Sequence, residues 1–380
     1  MTWNPARIRL SIIRFPGLLL MSSTALLAGG CGPATTTHQI RGTYPPEPLH
    51  AHLPTVEAKS CNGVSTYRDL PPPPPPPAYP SCELWHHSAE RLTNGHEEES
   101  LVRIIEFNDE GEVNETQRDA ALRDIRATIT AAGRGLVVVF AHGWHHGAQV
   151  CDDNLACFRR ALMGLHSAQK TIDGMNHDGK RTDPAPVIGV FLAWRGEEFE
   201  RFPGKQLSLF SRKGIAQRIG RNGARETLDR LDGLYRDLRA SLETEGEDRR
   251  VRMISVGHSL GGAMLFTALQ SKVQVRENGR RVLKLGEDGL PQGFGDMMVL
   301  VNPAVEAWEY KPFHRYSRSR NRVTRRADAP PILVSVGSTA DQAVGAYFPI
   351  ARLVQSLWHP TRPFRGVSNF LAMGRYWLHT

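Results

Sequence analysis

The sequence predicts an α/β protein with a mostly parallel central sheet flanked by helices. Three observations carry this expectation. Short apolar runs rich in β-branched residues, Leu136–Ala141, Val187–Leu192 and Met297–Val301, are continuous in the manner of strands buried on both faces of a parallel sheet. Stretches with helical spacing lie between them, and alternating strands and helices favour parallel pairing through crossovers. The stretch Val251–Leu269 joins a strand, a tight glycine turn and a run of strong helix formers with no linker between them.

In order, Val102–Phe107 reads as the first strand of the domain, and Asn108–Gly111 supplies a turn. From Asn114 to Ala132 apolar residues recur at Ala120, Leu122, Ile125, Ile129 and Ala132, and Gly133 ends the predicted helix. The strand Leu136–Ala141 runs directly into His142-Gly143-Trp144-His145-His146. Residues 153–168 read as a helix, Val187–Leu192 as a strand ending in Ala193-Trp194-Arg195-Gly196, and 224–243 as a long amphipathic helix. After the Val251–Leu269 stretch come the strand Met297–Val301 with Asn302-Pro303-Ala304, and the strand Pro331–Val336 leading to Asp341. Residues 342–357 look helical, and Val367–Met373 holds a last weak strand.

The chain of 380 residues is long enough to bury a sizeable core, and 40% hydrophobic with 23% charged residues suits a globular enzyme. Its formal charge of +8 falls to +5 without the first 30 residues, which hold three arginines and no acidic residue. That small excess does not call for nucleic acid, and the six arginines of Arg315–Arg326 lack the interleaved aromatics of a stacking platform.

Residues 1–30 have the form of a signal peptide: arginines, then the apolar run Phe15–Leu27, then small residues before Cys31. Residues 31–97 read as a proline-rich, largely disordered linker around the seven prolines Pro71–Pro77, which favour a stiff polyproline II spacer. The folded domain is expected over 98–380. Cys61, Cys82, Cys151 and Cys157 remain; Cys61–Cys82 with Cys151–Cys157 is the simplest of three pairings, and four unpaired thiols are the alternative. No spacing of Cys and His suggests zinc or another metal.

The chemistry concentrates at Gly257-His258-Ser259-Leu260-Gly261, a G-x-S-x-G turn between strand and helix. Such a turn holds a serine in a strained backbone, exposes its hydroxyl, and sets it at a helix N-terminus that favours developing negative charge. A serine hydroxyl is a weak nucleophile and needs an imidazole base and a group to orient that base.

The ordered set Val139–His146, Gly189–Gly196, Gly257–Gly262 and Val301–Ala304 resembles the α/β hydrolases of the serine esterase and lipase type. More narrowly, it resembles bacterial, often lipoprotein-like members with an H-G-W-H-H loop and a G-H-S-L-G-G elbow, over about residues 100–380. The resemblance implies a carboxylic-ester hydrolase acting through an acyl-enzyme, without cofactor, on an ester or lipid substrate. It implies Ser259 as nucleophile, the N–H of Leu260 and one near Trp144 as the oxyanion hole, and His142 and Gly143 as support for that loop. Asp341 is the implied acid, with Glu306 as substitute and a helix N-cap as its structural alternative. His379, in the ending Gly374–His379, is the implied base, and His359 its competitor. The segment 197–222 lies where such hydrolases insert a lid, though a packed surface helix fits its pattern equally. Leu27–Cys31 resembles a lipobox, with Ala28 where that motif prefers Leu, and implies lipidation of Cys31 and a tether to the bacterial cell envelope. The alternative is a catalytically impaired envelope lipoprotein that uses the fold as a binding scaffold.

Overall fold

The computed structural model describes residues 55–57, 89–93, 98–148, 152–176, 184–196, 204–243, 250–275, 281–284, 292–317 and 331–337. Six parallel strands form the body of the sheet: β3 (Glu98–Glu106), β4 (Gly135–Ala141), β5 (Val187–Ala193), β6 (Val251–His258), β9 (Met297–Val301) and β10 (Leu333–Val336). Two further strands, β1 (Thr55–Glu57) and β2 (Ala89–Thr93), extend one side, β2 antiparallel to β3. The spatial order is β1-β2-β3-β5-β4-β6-β9-β10. A short hairpin, β7 (Val273–Val275) with β8 (Arg281–Leu283), stands apart. The α/β architecture expected from the sequence is the one observed.

Helix α1 (Glu115–Ala132) begins where the Asn114 side chain accepts the Gln117 N–H at 3.2 Å, and it ends at Gly133 in a left-handed conformation, φ 70°. Helices α3 (Gly204–Arg221), α4 (Gly223–Glu243) and α5 (Leu260–Leu269) join α1 on one face of the sheet, and α2 (Asp153–Asn176) covers the other. Strand side chains alternate between the two cores: Ile188, Val190 and Leu192 enter the first, and Val187, Phe191 and Ala193 the second. Each fully buried aliphatic residue among them contributes about 1.5–3 kcal/mol. Helix α4 turns Leu228, Leu231, Leu234, Leu238 and Leu242 inward, the spacing of an amphipathic helix.

The sheet begins earlier than Val102. Strands β1 and β2 lie inside the stretch that the sequence presents as linker, and Leu92 of β2 is fully buried against α2's side of the sheet. Proline-rich surroundings and short length hide them from periodicity. The segment read as a lid or a packed helix contains α3, whose Ala216 and Ile219 are fully buried in the core formed with α4 and α5. A short turn Ala307–Tyr310 and helix α6 (Lys311–Ser317) follow β9.

All six parallel strands point the same way, so their C-terminal ends share one edge. The chain leaves β4 toward α2 on one face and leaves β6 toward α5 on the other. Between such neighbouring strands the connections diverge and open a crevice, the usual place for a ligand in an open α/β sheet.

Candidate active site

Ser259 stands at that edge, between the end of β6 and the start of α5. Its φ of 51° and ψ of −113° lie far from any relaxed conformation of an L-residue, and it caps the N-terminus of α5. The strained peptide is held on both sides. The Ser259 N–H donates to the Val301 carbonyl at 3.0 Å, and its carbonyl accepts the N–H groups of Ala263 at 3.1 Å and Ala304 at 3.0 Å. Because α5 starts at Leu260, the Leu260 N–H is among the first of the helix, which have no intrahelical acceptor.

Two glycines let the neighbouring segments meet here. A Cβ on Gly261 would run into the carbonyl oxygens of Ala141 and His142, so the helix can approach the end of β4 only without a side chain. A Cβ on Gly143 would stand 3.1 Å from the Ser259 Cβ and 3.0 Å from the His258 Nδ1. The His142-Gly143 loop therefore lies directly against the turn that carries Ser259.

His142 is fully buried, its ring stacked between those of Phe191 and Trp194 at centroid distances of 5.4 and 5.5 Å. Its Nδ1 lies 3.0 Å from the Gly143 carbonyl, and its Nε2 accepts the Trp194 N–H at 3.1 Å. The contacts define the neutral tautomer with the proton on Nδ1. Burial pushes the pKa down to about 4, against partial compensation from the Gly143 hydrogen bond. The Trp194 indole N–H donates to the His142 carbonyl at 3.2 Å, closing a second link between the ends of β4 and β5.

The remainder of the loop is pinned at its far end. His145 adopts a φ of 68°, its N–H donates to the Gly196 carbonyl at 3.2 Å, and Gly196 donates back to the His146 carbonyl at 2.9 Å. The His146 Nδ1 lies 3.2 Å from an Asp152 carboxylate oxygen, and the Asn154 amide nitrogen sits 2.9 Å from its Nε2. Asp152 also accepts the N–H groups of Gly147, Asn154 and Leu155, so one carboxylate both caps α2 and ties the loop to it. Burial alone would raise the Asp152 carboxyl; the hydrogen bond and charge of His146 outweigh it and hold the group below its usual range. Asp152, immediately before the 153–168 helix, carried the capping signal for this anchor in the sequence.

Trp144 is half-buried on this loop and stacks on the His145 ring. Glu306 is buried and paired with Lys213 of α3 at 2.9 Å. Its neighbour Glu309 bonds Gln270, just past the C-terminal end of α5, at the opposite end of that helix from Ser259. Burial raises the Glu309 carboxyl to about 7, and the Glu306 charge adds to the shift. Beside the loop, the Asp109 carboxylate joins Arg195 at 2.7 Å and Arg212 at 3.0 Å, which locks the end of β3 to β5 and α3. Nothing in the sequence pattern announced that cluster.

The structure thus brings the His142-Gly143 loop against Ser259 and the start of α5, with Trp144 next along that loop. Asp341, His359, His379 and Cys31 lie outside the described residues, as do the 342–357 helix, the Val367–Met373 strand, the seven prolines, and Cys61, Cys82 and Cys151. Cys157 sits half-buried on α2. Among the described residues, no helix is long and apolar enough to cross a membrane.

No known protein family and no curated protein matches the chain. Among solved structures it is similar to the Trichoderma reesei cutinase in complex with a C11Y4 phosphonate inhibitor, at 11% identity, covering 59% of this chain and 74% of that one with a TM-score of 0.21. It is also similar to an uncharacterized protein from Pseudomonas aeruginosa, at 13% identity, covering 60% of this chain and 39% of that one with a TM-score of 0.24.

Proposed function

We propose that the protein is a serine-dependent hydrolase of carboxylic esters, working through an acyl-enzyme. The observation that supports this reading most is the backbone of Ser259. Its conformation costs about 1–3 kcal/mol and persists because the peptides on both sides of it are bonded to the turn after β9. Strain of this kind at a strand-to-helix turn, beside a glycine loop and a helix N-terminus, suits a hydroxyl that must project into a crevice.

In this reading the Ser259 Oγ attacks the ester carbonyl, and the tetrahedral oxyanion is received by the Leu260 N–H and an N–H near Trp144. His379 takes the serine proton and passes it to the departing alcohol, and Asp341 orients the imidazole. His359 and Glu306 are the substitutes for these two roles, although Glu306 is engaged by Lys213. Water then attacks the acyl-enzyme with the same histidine as base, which releases the acid and restores the serine. The chemistry runs on side chains and backbone alone. Export through residues 1–30 and lipidation at Cys31 would present this domain at the bacterial envelope.

Hydrolysis of short and long p-nitrophenyl esters by the wild type and Ser259→Ala tests the assignment. Loss of turnover in the variant is the expected result, and equal activity in both removes Ser259 from the mechanism. Single replacements of His379 and His359 should abolish turnover in one case and leave it near normal in the other. Cys31→Ala should release the protein from the membrane fraction; an unchanged fraction rejects the tether.

A further inference from the structure

Among the described residues, three that are not glycine have a left-handed φ: His145 at 68°, Ser259 at 51° and Asn302 at 45°. They occupy the loops after three neighbouring strands, β4, β6 and β9, at one edge of the sheet. The first two belong to the oxyanion loop and the elbow. Asn302 has no place in the chemistry described so far.

Its surroundings give it one. The carbonyl of Val301, just before it, accepts the Ser259 N–H at 3.0 Å. The N–H of Ala304, two residues after it, donates to the Ser259 carbonyl at 3.0 Å. Ser259 is therefore gripped through both of its flanking peptides by a single four-residue turn. A regular parallel ladder bonds one residue to a carbonyl and an amide two residues apart; here they are three apart, because Pro303 at the ladder position has no N–H to donate. The left-handed Asn302 takes up the extra residue, and Pro303 fixes the next φ. The Asn302 N–H meanwhile donates to the Val336 carbonyl at 2.8 Å, which anchors the turn to β10. Pro303 is buried against the elbow, 3.1 Å from where a Cβ on Gly262 would stand.

We propose that Asn302 is a positioning residue for the nucleophile: its left-handed backbone closes the Val301–Ala304 turn into a clamp that holds Ser259 in its strained conformation. The proposal rests on the serine-hydrolase reading for its kinetic consequence and on geometry alone for its structural one. Asparagine tolerates this backbone region better than other residues with a side chain, glycine tolerates it fully, and a β-branched residue does so worst. The sequence should therefore behave as though the φ, and not the side chain, were the requirement.

The test uses the full chain, with Asn302→Val and Asn302→Gly assayed on a short p-nitrophenyl ester below every variant's melting transition. Asn302→Val is expected to lower kcat by about tenfold or more with KM changed less than about twofold, because a displaced nucleophile weakens the transition state alone. Asn302→Gly should stay within about threefold of wild type. If glycine is as damaging as valine, or if valine leaves kcat intact, the proposal is wrong. Asn302→Ala replaces the valine variant if the latter does not fold.

A melting cycle separates this result from failure of the hydrolase reading. Ser259→Gly relieves the strained backbone and should raise the melting temperature of the wild type by about 2–6 °C. In the Asn302→Val background, where the clamp has opened, the gain should shrink by half or more. Equal gains in both backgrounds overturn the clamp whether or not the protein cleaves esters. Shrinking gains without wild-type turnover would instead leave the clamp standing and reject the hydrolase.

Discussion

Replacing His142 by Gln should make the protein's stability less sensitive to acid. The imidazole is fully buried, sandwiched by Phe191 and Trp194, with its Nδ1 proton directed at the Gly143 carbonyl and its Nε2 accepting from Trp194. Burial lowers its pKa from 6.5 to about 4. Between those values the unfolded chain binds a proton that the folded chain refuses, so stability is complete above pH 6.5 and falls as the pH drops toward 4. At pH 5 the loss amounts to about 2 kcal/mol, from the 1.5 pH units below the unfolded value at about 1.36 kcal/mol each. Glutamine keeps an acceptor for the Trp194 N–H and does not titrate. It forfeits the stacking and the Gly143 hydrogen bond, so at pH 8 His142→Gln should be less stable than wild type by about 2–3 kcal/mol. Urea unfolding at pH 8 and at pH 5 measures both quantities. The gap between wild type and variant should close by about 2 kcal/mol on going to pH 5. A gap that stays constant would refute the buried neutral imidazole.

Gly261→Ala drives a methyl group into the carbonyls of Ala141 and His142, and should cost about 3 kcal/mol of stability while lowering ester turnover. Gly233→Ala, on the exposed side of α4 with nothing within 4 Å, should instead gain about 1 kcal/mol and leave turnover unchanged; chemical denaturation with a parallel ester assay checks both. Glu309→Gln should stabilise the protein chiefly above pH 7. The Glu309 carboxyl is raised in the fold, so its favourable protonated form is present below the unfolded pKa and is lost as pH rises through the folded one. Melting temperatures of wild type and variant across pH 5–9 should therefore diverge toward alkaline pH, and parallel curves would count against the shared burial of Glu306 and Glu309.

Strands β4, β5 and β9 were legible because each is a continuous apolar run, the pattern of strands in the middle of a parallel sheet, whereas β3 and β6 carry charged residues within their runs. The elbow was legible because strand, glycine turn and helix follow one another without a gap. Strand β2 was not, since its sequence Ala89–Thr93 carries no apolar alternation, although Leu92 is fully buried. The Asp109–Arg195–Arg212 cluster joins positions from three separate elements, and no local pattern records such a contact. His142 illustrates a third case. The sequence located it in the loop beside the serine, but the state of its ring depends on Phe191 and Trp194, which only the pairing of β4 with β5 brings near. Asn302 stood within a motif that drew notice, yet its meaning is a φ angle, which residue type alone does not state.

The proposed hydrolase stands or falls with Ser259 as an activated nucleophile. Incubating the full chain with a fluorophosphonate and mapping the adduct by peptide mass spectrometry tests it most directly. Stoichiometric modification at Ser259, lost on prior heat unfolding and absent from Ser259→Ala, is the expected result. An unlabelled wild type, or an adduct on another residue, would contradict it.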